Sequence, residues 1–91
     1  MAKEIIIDIN VRDAEKALQE INETLRVQKE IIADLEVANT KLESQLEKTS
    51  KKDLNRRRDI TKQISKNKQL IKEEKAGIKA NTAERDKANE A

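Results

Sequence analysis

The residues best suited to binding chemistry are three consecutive arginines, Arg56, Arg57 and Arg58, which lead into a lysine-rich stretch. Cationic side chains on a helix can contact phosphates and release counterions from nucleic acid. The chain has no aromatic residue to stack on a base, however, and Asp53 and Asp59 flank the triplet. A basic face turned to solvent or to a partner protein explains the triplet better, and nucleic acid remains an alternative.

Catalysis is not expected from this sequence. It contains no His or Cys, which removes the usual nucleophile, base and zinc-ligand combinations, and its lone Gly77 cannot form a phosphate-cradling loop. Neighbouring carboxylates such as Glu73 and Glu74 are typical of a solvated helix surface, because an acid and base pair needs a shaped pocket. We therefore expect no enzyme and no catalytic, cofactor-binding or metal-binding residue.

Composition indicates long helices rather than a globular core. Of the 91 residues, 42% are charged, and Phe, Trp, Tyr, Cys and Pro are absent. No segment approaches the roughly 20 apolar residues of a membrane span. We expect a soluble, cytoplasmic protein without membrane contact, and a homo-oligomer, because one apolar seam buries little area per residue.

A heptad repeat dominates the chain. Apolar residues alternate at spacings of three and four, as a and d positions do, and after residue 50 the repeat resumes displaced by four. Such a displacement is either a stutter in one helix or a turn between two. Gln28, Thr49, Arg57, Glu74 and Asn81 interrupt the repeat. The predicted coiled-coil interface is Leu18, Ile21, Leu25, Ile32, Leu35, Asn39, Leu42, Leu46, Ile60, Ile64, Asn67, Ile71 and Ile78.

Four segments follow from these patterns. Residues 1–12 form a predicted β-strand or arm, in which Ile5, Ile7 and Ile9 share one side and need another copy or another chain to pair with. Residues 13–48 form a first helix, capped by Asp13. Residues 49–53 are a turn or stutter, and residues 54–91 form a second helix, which we expect to continue in a longer parent protein.

Charge favours a hairpin. Residues 1–47 carry a net charge of −5 and residues 48–91 a net charge of +7, so the two halves attract if the chain folds back. The fold class is therefore all-α: a long antiparallel helical hairpin of coiled-coil type, preceded by a short N-terminal β-strand. The alternative is one continuous long helix in a parallel coiled coil, where Asn39 would pair with its own copy.

The hairpin can be tested by its register. If Leu46 lies opposite Ile60, then Asn39 lies opposite Asn67, so two polar core residues meet each other instead of leucine. We also expect the acidic side chains of Glu36 and Glu43 to face Lys68 and Lys75. The same register is less favourable farther from the turn, where Ile32 lies opposite Glu74 and Leu25 lies opposite Asn81.

Two stretches resemble a known family. The opening Lys3-Glu-Ile-Ile-Ile-Asp-Ile-Asn-Val-Arg-Asp-Ala-Glu-Lys-Ala-Leu18 and the later Asp59-Ile-Thr-Lys-Gln-Ile-Ser-Lys-Asn-Lys-Gln-Leu-Ile-Lys72 look like the N-terminal part of phage tail tape measure proteins. This chain is far shorter and lacks their later apolar segments. The resemblance implies a structural segment that helps set tail length. It implies assembly with further copies of the chain, and other tail proteins are candidate partners. It also implies passage from the host cytoplasm to the virion tail. A non-phage scaffold coiled coil is a further alternative.

Overall fold

The computed structural model describes residue 4 and residues 14–90. Helix α1 spans Ala14–Lys48 and helix α2 spans Leu54–Glu90. The two helices lie side by side and antiparallel, and the principal-axis extents are 63 × 15 × 14 Å. The architecture is a helical hairpin, so the alternative of one continuous helix is wrong. The predicted strand, with Ile5, Ile7 and Ile9, lies outside the described residues.

Helix α1 forms because nothing in it interrupts a helix. Its 35 residues include no Gly or Pro, and Glu15 lies in the first turn and Lys48 in the last, where each charge opposes the nearby end of the helix dipole. On its solvent face, Arg26 pairs with Glu23 one turn before it and with Glu30 one turn after it. Such pairs add a few tenths of a kcal/mol each to an isolated helix.

The turn between the helices uses hydroxyl and carboxylate side chains instead of Gly or Pro. Thr49 Oγ1 donates to the Gln45 carbonyl at 2.6 Å, within the last turn of α1. Ser50 Oγ then accepts from the Lys52 amide at 3.3 Å. The Asp53 carboxylate accepts from the Arg56 amide at 3.2 Å, which makes Asp53 the N-cap of α2. No described residue has a positive φ, so the backbone of this turn needs no glycine.

The core is a single line of side chains between the helices. Five apolar side chains are buried among the described residues: Ile21, Leu25, Ile32, Ile60 and Ile64. Four polar or charged side chains are buried with them: Gln28, Asn39, Glu74 and Asn81. Nearly half of the buried side chains in this line therefore need a hydrogen-bond partner, which decides how the helices align.

Candidate functional site

The candidate site is the seam between α1 and α2. None of the predicted interface residues is exposed. The buried members are Ile21, Leu25, Ile32, Asn39, Ile60 and Ile64, and the half-buried members are Leu18, Leu35, Leu42, Leu46, Asn67, Ile71 and Ile78. The seam forms within one chain, so its residues already contact each other in the absence of a partner.

An asparagine pair fixes the register of the seam. Asn67 Nδ2 donates to Asn39 Oδ1 at 2.9 Å, and Asn39 Nδ2 donates to the Ile64 carbonyl at 3.4 Å. The predicted pairing of Asn39 with Asn67 is confirmed. A shift of one helix along the other would separate the two amides, and an unpaired buried amide costs roughly 1–3 kcal/mol.

A second amide pair lies toward the open end of the hairpin. Asn81 Nδ2 donates to Gln28 Oε1 at 3.1 Å, and both residues are buried. The sequence register places Asn81 opposite Leu25, which would strand its amide, but in the structure Asn81 reaches Gln28, one seam position along. The sequence shows that both residues are polar and interrupt the apolar repeat. A register that pairs only residues directly opposite each other does not predict this contact, because Gln28 and Asn81 lie at neighbouring levels of the seam.

Glu74 is the weak point of the seam. Its side chain is buried, and its Oε2 atom has no hydrogen-bond partner. The adjacent Glu73 is half-buried on a different side of α2 and accepts from Gln69 Nε2 at 3.5 Å. The two carboxylates therefore lie in separate surroundings and do not form a paired acid and base site.

Arg57 has a structural role that the sequence did not reveal. Its Nη1 atom donates to the carbonyls of Leu46, at 2.9 Å, and Thr49, at 3.0 Å. These carbonyls lie at the C-terminus of α1, where no further helical turn supplies the amide donor four residues on. The Leu46 carbonyl also accepts from the Thr49 amide at 3.2 Å. The guanidinium of α2 therefore caps α1 across the turn. Of the arginine triplet, only Arg56 and Arg58 remain exposed, which weakens the case for a phosphate-binding triplet.

The predicted ionic contacts along the seam do not form. Glu36, Glu43, Lys68 and Lys75 are all exposed, and none takes part in an ion pair within the described part of the chain. The expectation was wrong for Glu43 on geometric grounds as well. With Asn39 opposite Asn67, Glu43 lies toward the turn and Lys75 toward the open end, so their side chains cannot meet.

The ion pairs of the described residues are instead local to each helix: Arg85 pairs with Asp86 in α2 at 3.4 Å, and a cluster surrounds Arg26 in α1. The Arg26 guanidinium donates to Glu23 through Nε at 3.1 Å, and this hydrogen bond holds the pKa of the Glu23 carboxyl below its usual value. The Glu23 and Glu30 carboxylates raise the pKa of Arg26 in turn. All three side chains are well exposed, so this cluster stiffens the surface of α1 and has no part in the seam.

The two sides of the seam differ in character. One side, which we call the charged flank, presents Lys29, Glu36, Glu43, Lys68 and Lys75, and all of them are exposed. The opposite side, which we call the apolar flank, presents Val27, Ile31, Ala38, Leu70, Gly77 and Ala80. Gly77 is buried there, Ala38, Leu70 and Ala80 are half-buried, and Val27 and Ile31 are each 39% exposed. The heptad positions of these residues also hold Thr24 and Gln45 on α1 and Gln63 and Glu84 on α2, so the apolar flank is a short patch and not a continuous column.

Comparison with protein-family models, curated proteins and solved structures finds no match to this chain. Within the described residues, neither helix combines the length and the apolar content that a bilayer span requires.

Proposed function

We propose that this chain is a structural segment of a phage tail tape measure protein, which contributes to tail assembly and tail-length determination by helical self-association. Its partners are further copies of itself and, in the tail, other tail proteins. It acts in the host cytoplasm during assembly and then resides in the virion tail. The proposal joins the sequence resemblance to the physical character of the hairpin.

The observation that carries the structural part is the closed seam. The amide side chains of the seam, in the asparagine pair and the Gln28 and Asn81 pair, and the guanidinium of Arg57 are engaged in holding one helix against the other. What the hairpin offers to its surroundings is an elongated rod with a charged flank and an apolar patch on the opposite flank. Such a surface suits lateral packing with other rods.

The hairpin also limits how this segment could measure length. Residues 14–90 in one helix would extend about 115 Å, at 1.5 Å per residue. Folded back, they return the chain to the end at which α1 begins, and their span is about half as long. A segment of this shape serves as an assembly element, and the residue-by-residue count of tail length falls to other parts of a longer protein.

The test is genetic, in the genome that encodes the chain. An in-frame deletion of the codons for residues 14–90 should give no tails or tails of abnormal length in negative-stain electron microscopy. A matched strain with Val37→Lys, which alters only an exposed side chain, should give normal tails. Normal tails from the deletion strain, or a gene neighbourhood without tail-tube and baseplate genes, would refute the phage role and leave a scaffold role for the hairpin.

A further inference from the structure

We propose that residues 3–11 of the chain lie along the apolar flank in an extended conformation and cover its exposed side chains. The contact lies within one chain, so it goes beyond the proposed role in tail assembly and does not depend on it. Three properties identify this segment as the occupant: the apolar side of its predicted strand, its distance from the flank along the chain, and the charge of Lys3.

The apolar flank has exposed apolar side chains on α1 and small residues opposite them on α2. Val27 and Ile31 lie one turn apart, and each is 39% exposed. In the register set by the amide pairs, Ala80 lies opposite Val27 and Gly77 lies opposite Ile31. The side chains of α1 therefore stand above the surface of α2 and leave a shallow trough along the flank. An extended segment fits a patch this narrow better than a helix, which is about 10 Å across with its side chains.

The segment before α1 carries an apolar surface that needs such a patch. Five of the seven residues 5–11 are Ile or Val, and no other stretch of that length in the chain has as many. In an extended conformation Ile5, Ile7 and Ile9 share one side, and burial of that side from water is favourable. Glu4 belongs to the other side and is exposed. The alternation therefore turns the isoleucines toward the flank and the acidic residues Glu4 and Asp8 away from it.

The length of the segment matches the position of the patch. Helix α1 begins at Ala14, at the open end of the hairpin. If the chain turns back at residues 12 and 13, the six residue steps from Val11 to Ile5 cover roughly 20 Å. Along α1, the 13 steps from Ala14 to Val27 also cover roughly 20 Å. Ile5 then lies at the level of Val27, one turn short of Ile31.

Two carboxylates lie next on the path of the segment. Asp34 and Glu73 lie at the same level of the flank, one turn beyond Ile31, and neither takes part in an ion pair within the described residues. No Lys or Arg lies three or four residues from either of them on its own helix. Lys3 shares the side of Ile5 and lies two residues, roughly 7 Å, farther along an extended segment. Its side chain therefore reaches the level of these carboxylates and supplies the missing cation.

The covalent link to α1 favours the segment of the same chain over that of a second copy. A segment tied to its binding surface by a short linker has an effective concentration in the millimolar range. The segment of another copy competes only at the bulk protein concentration. In dilute protein each chain therefore covers its own flank.

Engineered cysteine pairs test the contact in the full chain, which has no cysteine of its own. One variant pairs Ile5→Cys with Val27→Cys, and a second pairs Ile5→Cys with Ile31→Cys. The matched control pairs Ile5→Cys with Lys29→Cys, because Lys29 lies between these two levels but on the charged flank. Each protein is equilibrated in dilute solution in a glutathione redox buffer, and the intrachain disulfide is quantified by mass spectrometry. The disulfide reports the effective concentration of the two thiols, because it forms only where the Cα atoms come within about 7 Å.

We expect the effective concentration in at least one flank variant to exceed that of the control by about tenfold or more. Helical circular dichroism should be the same in all three proteins, since Val27, Lys29 and Ile31 are exposed. Equal effective concentrations in the flank and control variants would overturn the proposal. Disulfides found only between chains would overturn it as well, because they would show that the segment covers a second copy instead.

Charge reversal tests the register of the segment. In the Ile5→Cys/Val27→Cys variant, Lys3→Glu should lower the effective concentration severalfold, because it sets a third carboxylate beside Asp34 and Glu73. Lys52→Glu, an exposed change of the same charge in the turn, should leave it unchanged. Added salt should reduce the effect of Lys3→Glu, because exposed charges are screened by ions. An effective concentration that stays the same in Lys3→Glu would overturn the register in which Lys3 reaches the two carboxylates.

Discussion

Asn67 donates its side-chain amide to Asn39 Oδ1 at 2.9 Å, across the seam and 28 positions away along the chain. This hydrogen bond is the point from which the register of the whole hairpin can be read. It pairs two residues whose polarity would otherwise interrupt the core at separate places. The pair therefore reduces the apolar area buried in the seam but favours a single register of the two helices.

Asn39→Leu is expected to destabilise the hairpin by roughly 1–3 kcal/mol, because it leaves the half-buried amide of Asn67 without its acceptor. Asn67→Leu should act similarly, and the double variant should recover much of the loss, since two leucines pack without an unpaired group. Urea denaturation followed by circular dichroism measures all three. If the two single effects simply add in the double variant, the amides are not coupled and the register depends on other contacts.

Replacing Glu74 should stabilise the protein. The Oε2 atom of Glu74 is buried without a hydrogen-bond partner, so Glu74→Leu removes a desolvated carboxylate and adds apolar contact in the seam. We expect a gain of about 1–3 kcal/mol in the free energy of unfolding, measured by thermal and urea melts. Glu73→Leu, one residue away and outside the seam, should change stability by less than about 0.5 kcal/mol. A lower melting temperature for Glu74→Leu would mean that the carboxylate has an essential partner.

Single substitutions of the three arginines should have different effects on the free energy of unfolding. Arg57→Ala removes both hydrogen bonds to the C-terminal carbonyls of α1 and should cost about 1–2 kcal/mol, at the lower end for charged donors because the site is partly exposed. Arg56→Ala and Arg58→Ala should be nearly neutral, as exposed substitutions usually are. Equal effects from all three variants in urea melts would contradict the capping role.

Much of this fold follows from the sequence, and the exceptions have physical causes. The hairpin and the pairing of Asn39 with Asn67 could be predicted, because heptad spacing and the two charged halves act over the whole chain. The capping of α1 by Arg57 and the contact of Asn81 with Gln28 could not be predicted. In each of them a side chain extends along the helix to a partner that is not directly opposite it. The ionic contacts predicted for Glu36 and Glu43 failed since exposed charges gain little from fixed pairing.

A buried charge at the centre of the seam should abolish the structure. Ile32 is buried and Leu35 half-buried between the helices, so Ile32→Asp or Leu35→Asp places a carboxylate among the apolar side chains of the seam. Both variants should lose most of their helical circular dichroism signal at neutral pH. Val37→Asp, on the outer face, should retain it. Unchanged helicity in both seam variants would show that these positions do not hold the helices together.

The surface cluster around Arg26 gives a prediction for pH. Because its hydrogen bond to Arg26 lowers the pKa of Glu23, the contribution of Glu23 to stability is present above its unfolded-state pKa and is lost as the pH falls through the lowered folded-state pKa. Arg26→Ala should return the pKa of Glu23 toward its usual value, seen by NMR titration of the side-chain carboxyl. Added salt should reduce the difference at Glu23, because exposed pairs are screened by ions. A Glu23 titration curve that is identical in the two proteins would show that the pair does not persist in solution.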